Sequence, residues 1–199
     1  YKLLLKLSLI HNGYDFRWII NLKTILNKYG FLNLWINQNQ YDTKLLLKPT
    51  IFASIDEFHI KSWQEQVFEH NRCINYRIFK ENLTFEPYLL SLSYYQRRNY
   101  SKFRCGSSKI PIHINRFTGN DIDKLCTLCN NGDVGDEFHY VMCCSALKND
   151  RERYLDNSFY RKPNTVKFKI LFQSNNSNIL QKLVKFITVI IKKFENDNC

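Results

Sequence analysis

No stretch of this 199-residue chain is apolar for long enough to cross a bilayer. The longest apolar runs, Leu3 to Leu5 and Ile187 to Ile191, are broken by lysines well short of the roughly 18 residues a spanning helix needs, so no membrane segment is expected. A targeting sequence is also lacking, and the chain starts at Tyr1 without a Met. We therefore expect a fragment of something longer, working inside the cell, in the nucleus or cytoplasm. Acidic residues are few: 18 Asp and Glu stand against 29 Lys and Arg, a formal charge of +11. Such an excess points to an anionic partner, nucleic acid before membrane. What is abundant is apolar and aromatic material, with 15 Phe, 12 Tyr and 3 Trp in a sequence 44% apolar, which excludes wholesale disorder. The length suits one domain, or one with a small appendage.

Four of the seven cysteines lie in one short stretch, Leu125-Cys126-Thr127-Leu128-Cys129, a nine-residue loop, then His139-Tyr140-Val141-Met142-Cys143-Cys144. Two thiols separated by two residues can reach one tetrahedral ion from a tight turn, and a His with a Cys four or five residues on can close the other side. A redox couple or a secreted disulfide framework are the alternatives. The first wants a strand before the motif and a helix at its second Cys, and no signal peptide supports the second. One structural zinc ion is the expected cofactor. Asp133 is placed to cap a helix whose first turn holds Asp136 and Glu137 and which carries His139. On an ideal helix Cys143 would share the face of His139, whereas Cys144 would lie about 140° away, so geometry alone favours Cys143 as the last ligand unless the helix is distorted there.

Elsewhere the periodicity predicts mostly helix. Residues 1 to 10 look like the tail of a preceding element, closed by a turn at Asn12 and Gly13. Asp15 can cap a core helix carrying Phe16, Ile19, Ile20, Leu22, Ile25, Leu26 and Tyr29 and ended by Gly30. Residues 33 to 50 read as a short helix and a loop closing at Pro49, and Phe52 to Phe68 as another helical face. Tyr76 to Phe79 reads as β-prone or turn, with a helix restarting at Pro87. His59 and His70 are read as packing or surface residues, Cys105 as a small buried hydrophobe, and His113 as a further candidate ligand. Beyond the cysteines a helix runs on through Ala146 and Leu147 to Tyr154 and ends at a turn at Asn157 and Ser158. A short helix follows at Val166 to Phe172, then a closing helix whose apolar stripe runs from Ile179 to Phe194.

Residues 87 to 120 contain no Asp or Glu, yet carry Arg97, Arg98, Lys102, Arg104, Lys109 and Arg116 among Tyr94, Tyr95, Tyr100, Phe103 and Phe117. Guanidinium and ammonium groups neutralise phosphates, and interleaved aromatics stack on unpaired bases. These six basic residues are the candidate nucleic-acid contacts. The alternative is that the aromatics face the core and the cations merely face water.

The segment Phe103 to Lys109, the pair Arg116-Phe117, Leu125 to Cys129, and Gly135 to Tyr140 with Cys144 together resemble the C-terminal zinc-binding region of non-LTR (LINE-type) retrotransposon reverse transcriptases. Upstream, Tyr29 to Leu32, Ile60 to Trp63 and Tyr76 to Phe79 are similar to the stretch that links polymerase to zinc region in such elements. The resemblance implies Cys126, Cys129, His139 and Cys144 as ligands, with Cys143 as the alternate. It also implies RNA or DNA as partner. The chain shows neither a paired-Asp polymerase motif nor an endonuclease signature. The expectation is thus a mainly α protein with a small zinc-stabilised loop-helix module, non-catalytic, with no small-molecule substrate. Its expected divisions are a helical linker (1–104), a zinc-binding module (105–160) and C-terminal helices packing on the domain (161–199). A zinc-stabilised protein-interaction module, or a decayed element, is the alternative.

Overall fold

The computed structural model describes residues 17–36 and 44–195. Their regular structure is helical. They contain no strand, only one isolated antiparallel bridge between Leu125 and Val134, so the mainly α expectation holds. The expected tail at residues 1–10, its turn and the Asp15 cap lie outside the described residues. The chain divides into two compact units, Tyr1–Ser62 and Trp63–Cys199. The boundaries expected at 104/105 and 160/161 both fall inside the second.

In the first unit, α1 (Arg17–Lys28) ends at Gly30, whose φ of +77° is a left-handed helix stop. A short α2 (Leu32–Ile36) follows. The helical period is as expected, but the core is not: Ile19 is buried on α1, whereas Ile20 and Ile25 are about half exposed. Tyr29 packs edge-on against Phe58 of α3 (Lys44–Glu69), and its hydroxyl lies 3.2 Å from His59. Pro49 sits inside α3 rather than closing a loop. A proline this near a helix start forfeits one i to i−4 hydrogen bond and the helix continues around it.

The second unit carries the main core. Tyr76–Phe79, expected as β-prone or a turn, forms one helical turn, α4. Pro87 precedes another, α5 (Tyr88–Ser91). Ser93 and Gln96 then close a capping box that starts α6 (Tyr94–Arg104). The run Ser107 to Thr118, whose sequence reads as an extended connection, contains a helical turn, α7 (Pro111–Ile114), with Pro111 in its first position. Cys105, at the end of α6, is exposed rather than buried. Past the cysteines come α8 (Lys148–Tyr154), α9 (Asn157–Tyr160, where a turn was expected), α10 (Thr165–Gln173) and α11 (Ser177–Glu195).

The stripe on α11 is as its period predicts, with Leu180, Leu183, Val184, Phe186, Ile187, Ile190, Ile191 and Phe194 all buried. Each such side chain contributes about 1.5–3 kcal/mol before entropy, so this helix anchors the unit. It packs on α6 and α8. On the opposite flank Phe79 stacks on Phe172 with centroids 4.7 Å apart, and Phe168 meets both rings. Phe168 also meets Phe138 edge-on at 5.4 Å, which joins this aromatic cluster to the cysteine-bearing turn.

Candidate metal centre

The loop between the two halves of the Cys/His stretch closes by backbone pairing. The Cys126 amide donates to the Asp133 carbonyl and the Gly135 amide to the Lys124 carbonyl, both at 2.8 Å. Gly135 is required by close approach: a Cβ there would lie 2.6 Å from the Tyr140 hydroxyl and 3.2 Å from the Cys126 Cα. Asp136, rather than Asp133, starts the next turn, its carboxylate accepting from the His139 amide at 2.7 Å. Asp133 instead places a carboxylate oxygen 3.5 Å from His139 Nδ1. A carboxylate on that nitrogen leaves Nε2 free to face an ion.

The predicted α-helix through His139 is not one. His139–Cys143 is a single π-turn, and the Cys144 amide donates to the His139 carbonyl at 2.7 Å, an i to i+5 bond. The wider turn swings residue i+5, Cys144, back over residue i, His139. The chain then breaks at Cys144 (φ −49°, ψ 120°) before a 3₁₀ turn, Ser145–Leu147, and α8. It does not run straight through Ala146 as the sequence reading had it. The turn thus brings Cys144, not Cys143, to the cluster.

Cys126, Cys129, His139 and Cys144 are all buried, and their ligand atoms lie within 4.8 Å of one another. Cys126 Sγ and Cys144 Sγ are 3.9 Å apart, and Cys129 Sγ lies 3.4 Å from His139 Nε2. A tetrahedral ion with bonds of about 2.3 Å to sulfur and about 2.0–2.1 Å to nitrogen spans edges of about 3.8 Å and about 3.6 Å. The set is therefore compatible with a single metal ion, and these residues fit it in donor type as well as in spacing. The 3.9 Å separation excludes a disulfide between Cys126 and Cys144 in this structure.

Electrostatics favour the same use. Burial, and then the neighbouring Cys126, push the Cys144 thiol up to about 12. Burial also raises Cys129, but the Asn131 amide and the neighbouring thiols outweigh it and hold Cys129 below its ordinary value. Burial keeps His139 below the usual imidazole range despite Asp133 and Asp136, so the ring is held neutral, the form that ligates. A cation in the cluster would offset the cost that burial places on the Cys144 thiolate.

Two supports were not legible in the sequence. Arg151 of α8, 4% exposed, donates from Nε to the Val141 carbonyl at 2.8 Å and from Nη2 to those of Tyr140 (3.3 Å) and Cys144 (2.8 Å). It satisfies the carbonyls that the π-turn and the break leave open. The second is a buried chain of polar groups. Asn75 donates to Glu137 at 2.6 Å and to Asp136 at 3.1 Å, Glu137 lies 2.8 Å from His113 Nε2, and His113 Nδ1 lies 2.7 Å from the Ser108 hydroxyl. Glu137 is thus an internal strut rather than a first-turn surface charge, and His113 binds it instead of a metal. The order hydroxyl, imidazole, carboxylate imitates a hydrolase triad, but His113 Nδ1 takes the Ser108 amide as well as the hydroxyl. The adjoining cavity of about 150 Å³ is lined by His113 and Glu137 and not by Ser108.

The chain matches no family model, no curated protein and no solved structure. The cluster therefore rests on its own geometry.

The six basic candidates separate. Arg104 is 3% exposed and pairs with Glu86 through two nitrogens, at 3.0 and 3.4 Å. Its guanidinium also lies 4.8–5.2 Å from the rings of Phe79, Tyr88 and Tyr100. That charge is spent inside, because the same helix must also close the core. Arg97 donates to the Leu89 carbonyl, and half-buried Arg116 to those of His113 and Gly106. Arg98, Lys102 and Lys109 are exposed. Positions 94, 98 and 102 share one face of α6, where Tyr94 is 73% exposed and Tyr95, beside it, 59%.

Proposed function

We propose that this chain is a non-catalytic, zinc-binding nucleic-acid-binding module, of the kind its sequence resembles at the C-terminal end of LINE-type reverse transcriptases. The observation that supports it best is the buried Cys3His cluster, whose soft donors and tetrahedral spacing suit zinc and whose four protein ligands leave no open position for catalysis. Zinc supplies no reaction here. The protein's own residues do the work: the π-turn aims Cys144, Asp133 orients His139, and Arg151 holds the turn.

The nucleic-acid contact is the outer face of α6. Arg98 and Lys102 neutralise phosphates there, while Tyr94 and Tyr95 offer rings to unpaired bases, which favours a single strand. Lys109 adds a third exposed cation. Arg104, Arg97 and Arg116 are left out of the contact because internal acceptors hold them. Titrating the zinc-loaded chain with a single-stranded RNA at several salt concentrations tests this reading. Binding that falls steeply with salt, and is weakened by Tyr94→Ala with Arg98→Ala, is expected. RNA binding insensitive to both overturns it.

A further inference from the structure

On the opposite side of α6 from Tyr94, Arg98 and Lys102 lies a cavity of about 500 Å³, lined among others by Lys80, Thr84, Glu86, Tyr88, Arg104 and Asn175. Its charges do not balance. Lys80, 8% exposed, lies 2.7 Å from Glu86, and Arg104, 3% exposed, lies 3.0 Å from the same carboxylate. Glu81, also on the wall, is paired with Lys169. Two nearly buried cations thus share one carboxylate. The Arg104 Nε is buried with no hydrogen-bond acceptor. A net positive charge in such a place is unfavourable unless something compensates it. The rings around Arg104 do so in part, and the space in front of them is left.

The walls say what suits that space. Cations lie at one side, and Phe85, 63% exposed, and half-buried Tyr88 supply aromatic surface. Amide and hydroxyl groups, among them Asn82, Thr84, Gln173 and Ser174, complete the lining. An anionic group beside Lys80 and Arg104, a flat ring against the aromatic wall and hydrogen-bonding edges toward the amides describe a nucleotide with its phosphate, and the volume is in the range of small-ligand pockets.

We infer that this cavity is a binding site for a nucleoside monophosphate unit, either a free nucleotide or the phosphorylated end of a strand. It is separate from the outer face of α6, so the two fail separately.

The test is calorimetric titration of the full, zinc-loaded chain with uridine 5′-monophosphate, uridine, and inorganic phosphate. The monophosphate should bind at least tenfold tighter than either of the others. Lys80→Gln should weaken it about tenfold. Asn175→Glu, which adds a negative charge at an exposed point of the rim and disturbs no buried pair, should do the same even if Lys80→Gln compromises folding. Arg98→Ala with Lys102→Ala should leave it unchanged. No binding at millimolar nucleotide, equal binding of inorganic phosphate, or indifference to Asn175→Glu overturns the assignment. A short oligonucleotide with and without a 5′-phosphate then separates the sources. Tighter binding of the phosphorylated form assigns the site to strand ends, and equal binding of the two, with the mononucleotide still bound, to free nucleotide.

Discussion

The Cys/His turn and helix α6 both present their functional residue types in one short stretch, but only the first brings them together. Cys126, Cys129, His139 and Cys144 converge because the backbone between them closes on itself, through the Leu125–Val134 bridge and the π-turn. The basic residues from Arg97 to Arg116 diverge because each helical turn presents one side to the core, and long cationic stems are drawn in wherever a carboxylate or carbonyl is at hand. Arg104 is the extreme case. A ligand cluster is a local property of the chain, whereas a charged surface is what remains after the tertiary fold has taken its share.

The comparison breaks most sharply at the turn itself. Cys144→Ser removes the thiol that the π-turn aims into the cluster and should abolish stoichiometric metal binding, while Cys143→Ser should keep one ion per chain. Equal losses from the two would mean that the turn does not select its ligand. Arg151→Met should cost about 3 kcal/mol in urea unfolding of the metal-loaded chain, because three carbonyls beside the cluster lose a buried charged donor.

A smaller effect is expected at the internal ion pair. Arg104→Met should destabilise by about 2 kcal/mol, since it removes two charged hydrogen bonds to Glu86 and the guanidinium's contacts with the rings of Phe79, Tyr88 and Tyr100. That pair also carries a pH signature. Burial raises the Glu86 pKa, but Lys80 and Arg104 outweigh it and hold it below the ordinary glutamate range. A depressed folded pKa stabilises above the unfolded value, and the benefit is lost as pH falls through the folded one. The stability gap between the parent chain and Glu86→Gln should therefore shrink as pH drops below about 4. The smallest change in stability, within about 0.5 kcal/mol, belongs to Arg98→Ala with Lys102→Ala. That variant should still flatten the salt dependence of single-strand binding by about 1.4 in the log–log slope. If Arg104→Met flattened the slope and left stability alone, the division between inner and outer faces of α6 would be wrong.

Much of this was legible in the sequence for a physical reason. The α11 stripe is long and periodic, so its buried residues follow from spacing alone. The Cys/His cluster follows from the short separation of its members, although the inclusion of Cys144 required a backbone form that no ideal helix offers. Asp136 took the capping part expected of Asp133, because either can cap a turn, and Asp133 lies beside His139 Nδ1 instead. Arg151 and the chain Asn75, Glu137, His113 and Ser108 were hidden for another reason. Their partners are distant in sequence or are backbone carbonyls, neither of which leaves a pattern in residue types. On α1 and α3 the period was right but burial did not follow it, since spacing predicts which residues share a face and not whether that face is covered.

The most direct test of the central claim is the metal content of the purified, reduced chain by elemental analysis. The account predicts one zinc ion per chain, retained by Cys143→Ser and lost by Cys144→Ser. A parent chain that folds and carries no metal would contradict it.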